Sequence, residues 1–399
     1  MSNINTIRKY FSLKENTEQF EALTKDEKIL VKEGHNLVKK YEIKKAKMDK
    51  ESKESKKLMA LIDDINVDKS YDEENRKYME TLVRYCVKKA GYDVTNFQIK
   101  NIQDPNIHNK TIFKETFQAI LAQVMTPIVP ALVSAAFMEM ADVANIGFGD
   151  TAKFDVRSND TFFVTNMAEG VLTGTVQRLY NKELTVNPEP YNIKTTVNWY
   201  HVASGLFDFG YFVDRIGYSF ANYVSEMVIQ AITKDITTNI AASSPYFTNG
   251  LTTAKWTKLI DELSGANGNA RVSAFGSLSA LSAVIPTQTG LQNGLGERWT
   301  SVGYLESFMG TPLIRVPQIL LPNTVNTTAL FGIPNDTIWL FAEGGYKPVK
   351  LVFEGQAITK DFIPTESVDK EMGVEVTMRI GQTFVAASKY GAITGVTLS

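Results

Sequence analysis

Residues 206–231 read LFDFGYFVDRIGYSFANYVSEMVIQA. Leu206, Phe209, Val213, Ile216, Phe220, Tyr223, Met227 and Ala231 recur at spacings of three or four, which marks one face of a long helix. About thirty helical residues at ~1.5 Å each reach roughly 45 Å. Phe207, Phe212 and Tyr218 lie off that stripe, so the helix is expected to be buried on more than one side. The aromatic stripe is read as core and not as a cofactor box.

Immediately upstream the pattern changes. KFDVR (residues 153–157) alternates strictly, which reads as a strand with two unlike faces. TFFVT (161–165), GTVQRLY (174–180) and KTTVNWYHV (194–202) also read as strands. Turn formers separate them at Ser158-Asn159-Asp160, Asn181-Lys182 and Asn187-Pro188-Glu189-Pro190. Residues 151–202 carry ten charges, too many for the middle of a core, and read as an extended β-arm. Such an arm leaves backbone edges open to unwanted pairing in a monomer. It suits a subunit built to lie on a neighbour. Further upstream, FQAILAQVMTPIVPALVSAAFM (117–138) is long enough to span a bilayer. Gln118, Gln123, Pro127 and Pro130 interrupt it, and Glu139 and Asp142 follow, so it reads as a buried protein element rather than a membrane span.

The 399 residues carry 42 basic and 44 acidic side chains, a net charge of −2. No global basic excess points to nucleic-acid binding. The charges are unevenly placed. Residues 1–110 hold 23 Lys/Arg and 19 Asp/Glu, a net +4, whereas residues 111–399 hold the remaining 19 and 25, a net −6. The boundary falls near residues 100–112, where NIQDPNIHNK supplies turn formers. The leading part reads as helical. Thr24 with Glu27 has the capping-box form, and the helix runs through Lys44 towards Met59 with a thin stripe of Leu30, Leu37, Tyr41 and Met48. A second helix is expected to start at Asp72-Glu73-Glu74 and end at Lys88-Lys89 before Gly91, a charge order that complements the helix dipole. Tyr78, Leu82 and Tyr85 form its stripe, with Met79, Val83 and Cys86 beside it. Two readings stay open: a small autonomous helical domain, or an assembly arm whose thin stripes need partner helices. The charge run at 39–57 reads as a solvated face. The first twenty residues have no apolar core of the signal-peptide kind, so secretion by that route is not expected.

Downstream of the long helix the chain is mixed. Residues 264–310 contain eight glycines, none in a phosphate-loop context, and these read as turns. Residues 256–263 suit a helix, 271–275 a strand and 277–284 a short helix. Residues 336–342, 348–353, 374–380 and 383–387 read as closing strands.

Chemistry is sparse. One cysteine, Cys86, excludes an intramolecular disulfide framework and Cys-based zinc sites. His35, His108 and His201 leave little for a metal centre. His201 is read as a structural residue in the strand over 194–202. No GxSxG, HExxH or CxxC occurs. Asp63-Asp64, Glu73-Glu74 and Asp261-Glu262 are adjacent on helices, so each pair diverges by about 100° and makes a poor acid–base dyad. No cofactor, metal or enzymatic activity is expected.

The ordered set of elements resembles a tailed-bacteriophage major capsid protein of the Hong Kong ninety-seven type, an α+β fold. GDTAKFDVRSND (149–160) followed by VNPEPYNIKTTVNWYHVASGLF (186–207) looks like that family's extended loop. Residues 209–236 look like its spine helix, with Phe209, Val213, Ile216, Phe220 and Met227 on the stripe. GYLESFMGTPLIRVPQILLP (303–322) resembles its apical GxPV-type segment, with Gly310-Thr311-Pro312-Leu313 standing in and Leu in place of Val. Residues 339–396 look like its closing peripheral strands. The resemblance implies this organisation: a delta-like, scaffold-type helical region at 1–110, an N-arm at 111–150, the extended loop at 151–202, spine helix and peripheral core at 203–250, an apical domain at 251–335 and closing strands at 336–399. It further implies hexamers and pentamers closing into an icosahedral shell around double-stranded DNA held without sequence specificity. Portal, scaffold, protease or decoration proteins would be partners, with assembly in the host cytoplasm, residence in the virion capsid and no membrane. Lys153, Arg157, Arg178, Lys182 and Lys194 become candidate inter-subunit contacts. Some relatives crosslink a loop lysine to a distant asparagine, and none of Lys153, Lys182 and Lys194 matches that motif. An encapsulin-like nanocompartment shell or another phage structural protein is the alternative.

Overall fold

The computed structural model describes residues 23–54, 60–133, 137, 140–157, 181–236, 244–285, 302–321, 330–344, 347–362, 371–385 and 389–396. Both helices and sheets contribute, as an α+β fold requires. In chain order the helices are α1 (Lys25–Glu54), α2 (Ala60–Lys89), α3 (Pro105–His108), α4 (Thr111–Met125), α5 (Ile128–Leu132), α6 (Trp199–Ser204), α7 (Phe209–Asp235), α8 (Thr253–Ala266) and α9 (Leu278–Ser282). The strands are β1 (Ala141–Ile146), β2 (Ala152–Arg157), β3 (Asn181–Val186), β4 (Glu189–Asn198), β5 (Phe247–Asn249) and β6 (Val272–Gly276). They continue with β7 (Ser307–Phe308), β8 (Thr311–Arg315), β9 (Ile338–Ala342), β10 (Val349–Phe362), β11 (Glu371–Phe384) and β12 (Gly391–Thr394). The chain divides into two compact units: residues 1–133, 189–221 and 355–379, and residues 134–188, 222–354 and 380–399.

In the first unit, α1, α2 and α4 pack on one another. α1 opens with the expected reciprocal cap, Thr24 N donating to Glu27 Oε2 at 2.9 Å and Glu27 N to Thr24 Oγ1 at 3.4 Å. Leu30, Val31, Leu37 and Val38 of α1 and Tyr78, Met79, Leu82, Val83 and Cys86 of α2 are all buried, each aliphatic side chain contributing about 1.5–3 kcal/mol. The three helices meet closely at Gly34, where a Cβ would lie 2.7 Å from Tyr78 Oη and 2.9 Å from Val124 Cγ2. Leu30 and Leu37 of the first thin stripe and Tyr78 and Leu82 of the second are thus covered from within the chain. α2 begins at Ala60, twelve residues before the start expected from its acidic cluster. Tyr71 and Asn75 are buried there and hydrogen-bonded to residues 207–209, so tertiary contacts hold a turn that local signals do not mark.

The strand expected over 194–202 stops at Asn198. The Asn198 side chain accepts from Tyr200 N at 2.9 Å and Gly205, at φ 75°, closes the short helix α6. This cap competes with the β-forming residues that follow. It wins because Trp199, 1% exposed, is packed by Phe113 and Phe117 of α4 at 5.4 and 5.7 Å. His201 therefore lies on a helix, not a strand. The apolar stretch at 117–138 divides into α4 and α5, and no described helix is long and apolar enough to cross a membrane. α4 lies on the sheet: Thr126 Oγ1 accepts from Ala357 N at 3.2 Å, and Thr359 Oγ1 donates to Gln118 O at 2.8 Å. In this unit the sheet order is β10-β11-β4.

The second unit holds the parallel pair β1–β10, in register from Ala141↔Val349 to Ile146↔Glu354. It also holds a six-stranded sheet of order β5-β12-β9-β6-β8-β7. Trp256, Leu259 and Leu263 of α8 pack on Ala274, Leu313, Ile338, Leu340 and Ile393 of that sheet. The strand expected at 374–380 and the start of the one expected at 383–387 belong to one strand, β11, which ends at Phe384, residues 386–387 lying outside the described residues, and 348–353 is the first half of the longer β10.

Candidate assembly surfaces

Three features carry the residues singled out by the sequence. The first is the ribbon β2–β3, paired antiparallel from Ala152↔Val186 to Arg157↔Asn181. Side chains alternate along a strand. Lys153 and Asp155 therefore share one face with Glu183 and Thr185. Ala152, Phe154 and Val156 share the other with Leu184 and Val186. Lys153 Nζ meets Glu183 Oε1 at 2.9 Å, both half-exposed, a pair worth less than about 1 kcal/mol. Arg178 and the strands expected at 161–165 and 174–180 lie outside the described residues.

The ribbon is seated at its base. Ala152 and Val186 are buried with Val352 of β10, and Ala144, Ile146 and Phe154 pack against them. Two residues along β10 on either side of Val352 stand buried charges. Lys350, 2% exposed, pairs with Asp142 of β1, and its ammonium lies 5.8 Å from the Phe154 ring centre. Glu354 accepts a hydrogen bond from Gly149 N at 2.8 Å. This ties the turn between β1 and β2 to the sheet. A charge at 350 and another at 354 in an otherwise apolar run was the available signal for this seat, and periodicity alone passes over it. Lys194 sits elsewhere: it is on β4, with Glu375 Oε2 at 3.8 Å and the Phe362 ring centre at 5.6 Å.

The second feature is the start of α7. Asp208 Oδ1 accepts from Tyr211 N at 2.9 Å and from Tyr71 Oη at 2.6 Å. Asn75 Oδ1 accepts from Phe209 N at 3.1 Å while its Nδ2 donates to Phe207 O at 2.8 Å. Helix α2 thereby satisfies backbone groups that a helix end leaves open. Phe209, Val213, Ile216, Phe220 and Met227 are all buried, whereas Leu206 is 75% exposed ahead of the helix and Tyr223 40% exposed upon it. The true buried stripe is thus narrower than the apolar spacing suggested. At Gly217 a Cβ would lie 2.7 Å from Leu132 Cδ1, so α5 crosses α7 closely there.

The third feature is the β7–β8 turn. Ser307↔Pro312 and Phe308↔Thr311 pair across Met309 and Gly310, both at positive φ (49° and 80°). Glycine fits that second position without a Cβ penalty. Pro312 lines a cleft of about 380 Å³ with Ser273, Phe275, Phe341 and Glu343.

Ionisable groups outside these features are tied into the fold. His35 lies 3.2 Å from Val124 O, and burial holds its imidazole down at about 4, so it is neutral at pH 7. His108 Nδ1 lies 2.7 Å from Ile102 O. His201 is exposed. Among the described residues no cluster of three or more His, Cys, Asp or Glu side chains could hold a metal ion.

Comparison with known proteins adds to this geometry. No curated protein matches the chain. Among solved structures, the chain is similar to a subunit of the capsid of an empty GTA particle (14% identity, 67% of this chain and 91% of that one, TM-score 0.45). It is also similar to the mature capsid protein of bacteriophage PhiM1 (10% identity, 65% and 86%, TM-score 0.43). A third similar structure is the virus-like particle from Pyrococcus furiosus (12% identity, 69% and 99%, TM-score 0.40). The family described as "SPbeta prophage-derived putative capsid protein YonB" matches residues 30–394, nearly the whole chain, and the chain belongs to this family of phage capsid proteins.

Proposed function

We propose that copies of this chain associate as hexamers and pentamers and close into an icosahedral shell around double-stranded DNA, with the β2–β3 ribbon reaching over a neighbouring subunit. One observation carries the reading. Among the described residues the ribbon is a separate two-stranded sheet, and an isolated two-stranded ribbon is marginal in water. Its base is clamped by Lys350, Val352 and Glu354, and the face bearing Lys153 and Asp155 points away from that seat. A rigid base with an open-edged ribbon suits pairing with a second copy. The charge balance agrees with a container. A region of net −6 grips DNA weakly, which suits a wall that packaged DNA slides along. By this reading Lys153, Arg157, Arg178 and Lys182 are contacts between subunits, Gly310 and Pro312 lie near a capsomer axis, and the virion capsid is where the protein resides. Portal and scaffold proteins would be its partners during assembly in the host cytoplasm.

Arg157 and Asn181 are paired directly opposite, so a two-residue Asn-Gly turn can close the ribbon. A variant with residues 158–180 replaced by Asn-Gly is expected to keep the parent's circular dichroism and melting temperature while forming no closed particles by electron microscopy. Closed particles of normal size from this variant would overturn the role given to the ribbon. Nuclease-protected DNA inside parent particles separates a viral shell from a protein-filled compartment.

A further inference from the structure

Helices α1 and α2 are followed by a loop in which Asp93, Thr95 and Asn96 are exposed. What the two helices touch on the far side of that loop decides whether they are an arm or a lobe. An arm that comes away after use meets the rest of the chain over few contacts, and those are mostly polar and wet.

The contacts here are of the other kind. From α2, Asn75 is buried and bonds both Phe207 O and Phe209 N. Tyr71 donates to Asp208 Oδ1 at 2.6 Å. From α1, Lys45 Nζ donates to Asp214 Oδ2 at 3.2 Å, and that carboxylate is 1% exposed. A pair on the surface is worth little, but breaking a covered one strands a charge away from water. The apolar contact is as close. α7 has no side chain at Gly210, where a Cβ would collide with Tyr71 Oη and lie 3.0 Å from Tyr41 Cβ. The Tyr78 and Phe209 rings stand 5.0 Å apart, and those of Tyr41 and Tyr211 5.9 Å. α4 is held as well, with His35 Nε2 3.2 Å from Val124 O. Parting the helices from this seat would bare Phe209 and Val124, both fully buried, and would leave Phe209 N without its acceptor.

We infer that α1 and α2 are a permanent lobe of the subunit, so that cutting the backbone between Thr95 and Asn96 does not release them. Their partner is the face formed by α4 and the first half of α7, which no scaffold or neighbouring copy can then occupy. The leading region is thus neither an autonomous helical domain nor an arm awaiting partner helices. This holds whether or not the subunit closes into shells. If it does, every copy carries the lobe in the finished wall.

A site-specific protease sequence inserted between Thr95 and Asn96 of the full chain tests this. After complete cutting, the two pieces are expected to co-elute in native gel filtration at about 1 µM and to part only in denaturant. Separation in native buffer would overturn the inference. A second measurement needs no insertion: hydrogen exchange of the uncut parent at low urea, read by mass spectrometry. A permanent lobe opens together with the helix it seats. Protection of residues 76–87 is therefore expected to match that of 210–221 within about tenfold and to fall with urea at the same slope. Protection of 76–87 lower by more than that would overturn the inference even if the insertion prevents folding.

Discussion

Asn75 of α2 holds both sides of the turn into α7: its Oδ1 accepts from Phe209 N at 3.1 Å and its Nδ2 donates to Phe207 O at 2.8 Å. One side chain of the leading helical region thus completes the start of α7. Asn75→Ala leaves both backbone groups to find other partners in a buried place. That is expected to cost about 1–3 kcal/mol, read as a lower urea midpoint with an unchanged slope. Asn75→Asp keeps the acceptor and loses the donor, and should fall between parent and alanine.

The chain leaving β3 passes against β11 at Gly381. A Cβ there would lie 2.8 Å from Val186 Cγ1 and 3.1 Å from the Pro188 Cα. The Pro188 contact is backbone, so relief requires the strand to move. Gly381→Ala is expected to destabilise by about 1–3 kcal/mol and to shift the ribbon's seat on Val352. Gly265, in α8, has open space where a Cβ would go. Gly265→Ala should be neutral or stabilise by up to about 1 kcal/mol. Thermal melting of the two variants side by side checks the contrast.

Cys86 is fully buried on α2, and burial pushes its thiol well above the ordinary cysteine range. Thiolate is the reactive form. The native protein is expected to resist iodoacetamide at pH 8 for hours while the urea-unfolded chain is alkylated within minutes. Intact mass measures both. Rapid labelling under native conditions would mean that α2 opens readily from α1 and α4.

Much of the fold was legible because some residues carry their own signals. Phe209, Val213, Ile216 and Phe220 repeat at helical spacing and are buried as that spacing implies. Thr24 and Glu27 form the cap their types suggest. KFDVR alternates and is a strand with one apolar face. Three things were not legible. α2 starts at Ala60 without a local start signal, and further along it Tyr71 and Asn75 are hydrogen-bonded to residues more than 130 positions away. The strand expected through Val202 ends early because Asn198 caps a helix whose burial depends on Phe113 and Phe117. The seat of the ribbon depends on Lys350 and Glu354 being buried, which no composition or period reports. In each case a distant partner decides, and sequence neighbours do not name it.

The central claim, that this chain builds shells from copies of itself, is tested most directly by electron microscopy of the purified full-length protein across concentration and salt, with an intact mass from the same sample. The account predicts closed particles, or rings of five and six subunits, built from a chain of 44.4 kDa. Monodisperse monomers under every condition would contradict it.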